Sequence, residues 1–198
     1  MYRSVLVVTG ILLLSKFIFA QDIYIVDPTK STLEWEGRKV TGAHNGTIDL
    51  KNGRLLFENG RLKGGDFIID MTTIVNLDLE DEGYNQKLVN HLKSDDFFAV
   101  ETYPYAKFKI TDVKNFMDSN TEANYLVIGD LTIKGITKSI EFPANVIFED
   151  DVVNTNANLE IDRSKFNVRY GSGSFFKGLG DKMIYDDFTI KVLLTALK

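Results

Sequence analysis

Apolar and polar side chains alternate along most of the chain after residue 20. In Ser139–Phe148, Ile140, Phe142, Ala144, Val146 and Phe148 alternate with Ser139, Glu141, Pro143, Asn145 and Ile147. The same two-residue period runs through Ala106, Phe108 and Ile110, through Thr155, Ala157, Leu159 and Ile161, and through Phe188, Ile190, Val192, Leu194 and Ala196. Successive strand side chains point to opposite faces, so each segment predicts a strand with one buried and one wet face. Asn-Gly recurs at 45–46, 52–53 and 59–60. Both residues accept positive φ, so each pair predicts a tight hairpin, with Thr47–Lys51 and Arg54–Glu58 as short strands of a meander. Gly64-Gly65 inside Arg61–Met71 predicts a bulge or a sharp bend.

One segment follows the helical period instead. Residues 82–93 place Tyr84, Leu88 and Leu92 four apart, with Val89 beside them. Ser94 is then placed to cap a short second turn, with Asp95 and Asp96 at its positive end. About eight strands and one helical insert after the fourth or fifth predict an all-β domain. Eight such strands can close into an antiparallel barrel. A two-sheet sandwich fits the same alternation.

The first twenty residues break from this pattern. Arg3 precedes the apolar run Val5–Leu14, Lys16 interrupts it, and Phe17–Ala20 ends on a small residue. This is the shape of a secretory signal cleaved after Ala20, leaving one domain over 21–198 in the periplasm or outside the cell. The apolar run falls short of the roughly 20 residues that a membrane anchor needs. The 198-residue chain contains no Cys, which excludes disulfides, thiol chemistry and a lipid-modified cysteine after the signal. Losing Arg3 and Lys16 leaves 21 basic against 28 acidic side chains, a net charge of −7. That balance argues against nucleic acid and against anionic membrane surfaces as partners.

Motifs for catalysis are weak. No Gly-x-Ser-x-Gly elbow occurs. Asp78, Glu80, Glu82 and Gly83 mimic the opening of a calcium loop, but its twelfth position is Val89, where a bidentate Glu is required. Gly171–Gly180 is rich in glycine, yet Gly178 is followed by Leu179, which breaks the phosphate-loop pattern; a rim loop is the better reading. His44 beside a turn and His91 near the helix end have no third ligand for zinc. No cofactor is implied. Tyr103, Tyr105 and Tyr170 could instead stack on sugars, which keeps a carbohydrate-binding or protein-interaction module as the alternative.

A series of motifs in order resembles the YceI-like family of exported polyisoprenoid-binding proteins. They are Tyr24-Ile-Val-Asp-Pro28, Ser31-Thr-Leu-Glu-Trp35, His44, Asp70-Met-Thr-Thr-Ile74 and His91-Leu-Lys-Ser-Asp-Asp-Phe-Phe98. Tyr103-Pro-Tyr-Ala-Lys-Phe108, Gly129-Asp-Leu-Thr-Ile-Lys-Gly-Ile-Thr-Lys138 and Ile161-Asp-Arg-Ser-Lys-Phe166 follow. The resemblance spans residues 24–196. It implies a lipocalin-like antiparallel barrel closed on an apolar cavity that holds a polyisoprenoid chain or quinone tail, as a non-catalytic carrier or store. The wall would draw on Trp35, Phe67, Ile69, Phe97, Phe108, Ile110, Leu131, Ile133, Phe142 and Phe148, with His44 and His91 at a polar head group. Transient membrane contact and a homodimer stay open as further partnerships.

Overall fold

The computed structural model describes residues 21–149 and 151–198; the expected signal, residues 1–20, lies outside them. Nine antiparallel strands form one sheet: β1 (Gln21–Val26), β2 (Thr32–Lys39), β3 (Gly42–Glu58), β4 (Arg61–Asn76), β5 (Tyr105–Asn115), β6 (Tyr125–Ile133), β7 (Ile136–Glu149), β8 (Val152–Asp162) and β9 (Ile184–Leu197). Each of β2 to β9 pairs with its neighbours in a ring that the β3–β4 and β2–β9 ladders close. The sandwich alternative is therefore set aside, and the expected barrel stands.

Nine strands make eight staves. β1 pairs with the Arg54–Glu58 half of β3 and with Ala196 and Leu197 of β9. β2 pairs with the Gly42–Ile48 half of β3 and with Ile184–Leu193 of β9. The two strands thus occupy one stave in succession. The break falls where Pro28, which has no N–H for a ladder, opens a short 3₁₀ turn over Pro28–Lys30. Asp27 holds that turn by accepting from the Thr29 amide at 2.9 Å and the Thr29 hydroxyl at 2.7 Å.

Only one of the three Asn-Gly pairs is a hairpin. Asn59 (φ 53°) and Gly60 (φ 70°) join β3 to β4 in a two-residue turn. The other two lie inside β3, which runs unbroken for 17 residues. There the glycines are required for space, not for positive φ. A Cβ on Gly46 would sit 1.9 Å from the Val75 carbonyl oxygen, and one on Gly53 would sit 2.6 Å from the Phe67 ring. Register shifts between Thr47 and Asp49 and between Leu50 and Asn52 are bulges, which let so long a strand coil around the barrel. The bulge expected at Gly64-Gly65 is present as a shift between Leu56 and Phe57 opposite them. A second two-residue turn, Lys134-Gly135 (φ 50° and 73°), joins β6 to β7.

The helix α1 (Glu82–Lys93) falls between β4 and β5 as expected, with Asp81 as its N-cap accepting from the Tyr84 amide at 2.9 Å. Val89 and Leu92 are buried, whereas Tyr84 points to solvent. Ser94 does not cap a second turn with its side chain. Its hydroxyl donates back to the His91 carbonyl at 2.7 Å, closing α1 instead. Lys134 ties the β6–β7 hairpin to the segment after the helix, donating to the carbonyls of Asp95 and Phe97 at 2.9 and 3.0 Å. The opposite end is closed by Tyr24, Phe57 and Phe148, whose rings meet edge to face at 4.6–6.0 Å.

Gly46→Ala is expected to destabilise the fold by about 3 kcal/mol, because the clash is with rigid backbone. Gly37→Ala, where a Cβ meets nothing within 4 Å, should change stability by less than about 0.5 kcal/mol. Urea denaturation of the two variants measures both.

Candidate ligand-binding cavity

An apolar cavity of about 220 Å³ lies along the barrel axis. Several inward-facing side chains that line it are only half-buried: Ile69, Phe108, Phe142, Leu159, Ile190 and Val192. Their free surface faces the interior, so the ring of staves encloses more room than its side chains fill.

Nine of the twelve residues expected at the site line this cavity: Trp35 on β2, Phe67 and Ile69 on β4, Phe108 and Ile110 on β5, Leu131 and Ile133 on β6, Phe142 on β7, and Phe97 after the helix. The rings of Phe67, Phe108 and Phe142 follow one another around the wall, with centroids 6.2 and 5.5 Å apart. Phe108 lies over Gly129, where a Cβ would approach its ring to 2.4 Å. The other three fall elsewhere. Phe148 shares the inward phase of β7 but sits in the aromatic cluster at the closed end, 38% exposed. His44 is tied to Asp78 at 2.8 Å, away from the wall. His91 packs edge-on against Phe97 and Tyr170, with centroids 5.8 and 4.3 Å away, and its Nε2 is buried without a hydrogen-bond partner.

Sequence reasoning passed over the walls that β8 and β9 supply, including Leu159, Phe188, Ile190 and Val192. Their alternation was in plain view. It also passed over two polar side chains. Thr155 Oγ1 is buried in the wall without a partner. Arg163 is 2% exposed and reaches the cavity at the helix end. It donates from Nε to the Tyr185 carbonyl, from Nη1 to Val168 and from Nη2 to Ile184, at 3.1, 2.9 and 3.1 Å. Asp186 Oδ1 stands 3.4 Å from Nη2 without hydrogen-bond geometry. Burial pushes the Arg163 pKa down while Asp186 and Asp162 oppose it, and a guanidinium stays charged in a protein.

The acidic segment before the helix serves the fold. Burial pushes the Asp78 carboxyl up, but hydrogen bonds from the Asn45 amide, His44 and Asn76 outweigh it and hold the group below its ordinary value. Tyr105 accepts from Lys51, and Tyr170 covers His91, so these two of the three candidate sugar-stacking rings already have partners. The glycine-rich segment lies at the helix end of the barrel, where Ser172 pairs with Ile184, a residue of the cavity wall.

Comparison with known proteins agrees with this geometry. A YceI-like domain profile matches residues 24–196. A UPF0312 protein of Photorhabdus laumondii is 42% identical over 59 residues, 30% of this chain and 28% of that protein. One from Pseudomonas putida is 44% identical over 54 residues, 27% of this chain and 26% of that protein. These alignments thus span little more than a quarter of the curated relatives. Among solved structures, Burkholderia cenocepacia BcnA superposes with a TM-score of 0.62 at 26% identity, covering 86% of this chain and 99% of its own. A polyisoprenoid-binding domain from Saccharophagus degradans, implicated in plant cell wall breakdown, gives a TM-score of 0.62 at 14% identity over 88% and 97%.

Two outcomes follow from the polar groups. Thr155→Val removes an unpartnered buried hydroxyl at nearly constant shape and is expected to raise stability by about 1 kcal/mol in urea denaturation. Asp78→Asn is expected to lower stability at neutral pH. Because the folded pKa of Asp78 lies below 3.8, its contribution is present above that value and is lost as pH falls through the folded one. The gap between wild type and variant should therefore close in acid, as read from thermal melts at a series of pH values.

Proposed function

The chain belongs to the YceI-like family, and from that membership and its hollow barrel we propose that it takes up the apolar chain of a polyisoprenoid or an isoprenoid quinone. It carries or stores that lipid outside the cytoplasm, without covalent chemistry. The observation that supports this reading most is a wall of inward apolar side chains that leaves about 220 Å³ open. The fold-level likeness to a polyisoprenoid-binding domain supports the same ligand class. The leader-like start, Arg3 followed by Val5–Leu14, supports export.

Size and energy constrain the ligand. The open volume of about 220 Å³ is lined almost entirely by apolar side chains, so it accepts hydrocarbon and penalises polar groups along the chain. Burial from water is worth about 0.8 kcal/mol per CH₂. A forty-carbon chain would gain roughly 30 kcal/mol from water, beyond the practical ceiling near 20 kcal/mol. Such a lipid starts in a membrane, already buried, and its net gain on transfer is small. A small net gain suits a carrier, which must release what it takes. The polar head belongs at the helix end, where His91 Nε2 and Asp186 Oδ1 are buried without hydrogen-bond partners.

Displacement of an apolar fluorophore by a series of prenyl alcohols tests this. Affinity is expected to rise with chain length until the cavity is filled and then to level off. Ala157→Phe, which places a ring in the cavity from the wall, should weaken binding at least tenfold while the protein stays folded. Mass spectrometry of the purified protein should show an organic-extractable lipid. Absence of any lipid, with no saturable site for the fluorophore, would overturn the reading.

A further inference from the structure

The helix end of the barrel carries exposed aromatic side chains outside the core. Phe175 and Phe176 are adjacent and 41% and 49% exposed, on a turn in which both amides donate to the Ser172 carbonyl at 3.2 and 3.0 Å. The turn is fixed to the barrel. Ser174 donates to Asp186 at 2.6 Å, Ile184 donates to the Gly171 carbonyl at 2.8 Å, and Val40 of the β2–β3 hairpin donates to the Met183 carbonyl at 3.1 Å. Val40 and Tyr185 are themselves exposed, and Tyr185 also lines the cavity. The apolar patch is thus continuous with the cavity mouth.

Charge is distributed to match. The segments 37–43 and 167–183 contain Arg38, Lys39, Arg169, Lys177 and Lys182 against one acid, Asp181, in a chain whose net charge is −5. Arg38 is paired with Glu36, and Arg169 lies over the Phe175 ring at 4.8 Å. Lys39, Arg169, Lys177 and Lys182 make no ion pair among the described residues. The acids of this end, Asp78, Glu80, Asp81 and Glu82, gather at the start of the helix, so the side of the rim that carries the aromatic loop and the β2–β3 hairpin is the basic one and turns toward a negative surface.

We infer that this rim docks on an anionic lipid bilayer, with Phe175 and Phe176 inserted at the headgroup boundary and Lys39, Arg169, Lys177 and Lys182 against the headgroups. Aromatic rings beside cationic side chains are the pairing that anchors proteins in this layer. The inference rests on the carrier reading in one respect: docking there sets the cavity mouth against the bilayer, so that a lipid chain passes between them without crossing water.

Sedimentation with vesicles tests it, using protein recovered from an exporting host. Phosphatidylcholine vesicles containing one third phosphatidylglycerol are compared with pure phosphatidylcholine. Binding to the anionic vesicles is expected, weakened by added salt. Phe175→Ser with Phe176→Ser should reduce it at least tenfold, and Lys177→Glu with Lys182→Glu should reduce it by a similar factor, about fivefold or more for each charge removed. All four positions are exposed, and circular dichroism confirms that the variants fold. Vesicle binding that is absent, or equal in wild type and both variants, overturns the docking surface. Fluorophore displacement in vesicle-free buffer separates the two ideas. A protein that fills its cavity yet ignores vesicles refutes docking and leaves the carrier reading standing, whereas docking without a saturable interior site refutes the carrier reading alone.

Discussion

The whole structure depends on the pairing of β9 with β1 and β2, which turns an open meander into a closed ring. Closure removes every free edge from the sheet, and it fixes the circumference at eight staves. A ring of that size has an interior about as wide as its side chains, so small choices decide whether it is solid or hollow. Here Ala144, Ala157 and Gly129 face inward among larger residues. The rings that might fill the space lie along the wall, as Phe108 does over Gly129. The cavity follows from closure together with these small residues.

The two ends of that interior differ in chemistry. One is sealed by Tyr24, Phe57 and Phe148, with Phe57, Val153 and Ala196 completely buried. At the other, Arg163 is spent on structure: its bonds to Val168, Ile184 and Tyr185 hold the turn after β8 against the start of β9. A buried guanidinium without partners would be prohibitive, and the three carbonyls keep it in place. The rim loop is mounted on the same residues, so its aromatic tip is presented by a braced frame.

Much of this was legible because a strand's two-residue period survives in any sheet with one dry face. The strands and most of the cavity wall follow from it, and the helix over 82–93 follows from the one segment of helical period. The Asn-Gly pairs misled for a physical reason. Glycine serves where φ is positive, as at Gly60, and equally where a Cβ has no room, as at Gly46 and Gly53. The local sequence does not distinguish the two uses. Phe148 has the correct phase but the wrong height in the barrel, and phase says nothing of height. The uses of His44 and Arg163 depend on partners at long sequence separation, such as Asp78 and Tyr185, which no local pattern reveals.

The divided stave also bears on how the fold is reached. β1 and β2 complete the ring by lying against β9, the strand furthest from them in sequence. A nascent chain that lacks β9 is a curled sheet with two raw edges and an apolar face open to water. Nothing in it can close early on itself, because the partner of its first strands is the one made last. The barrel therefore forms as a single cooperative event with high contact order. Until β9 has been made, the apolar face of such a chain has no barrel to line, and the ring waits on its last strand.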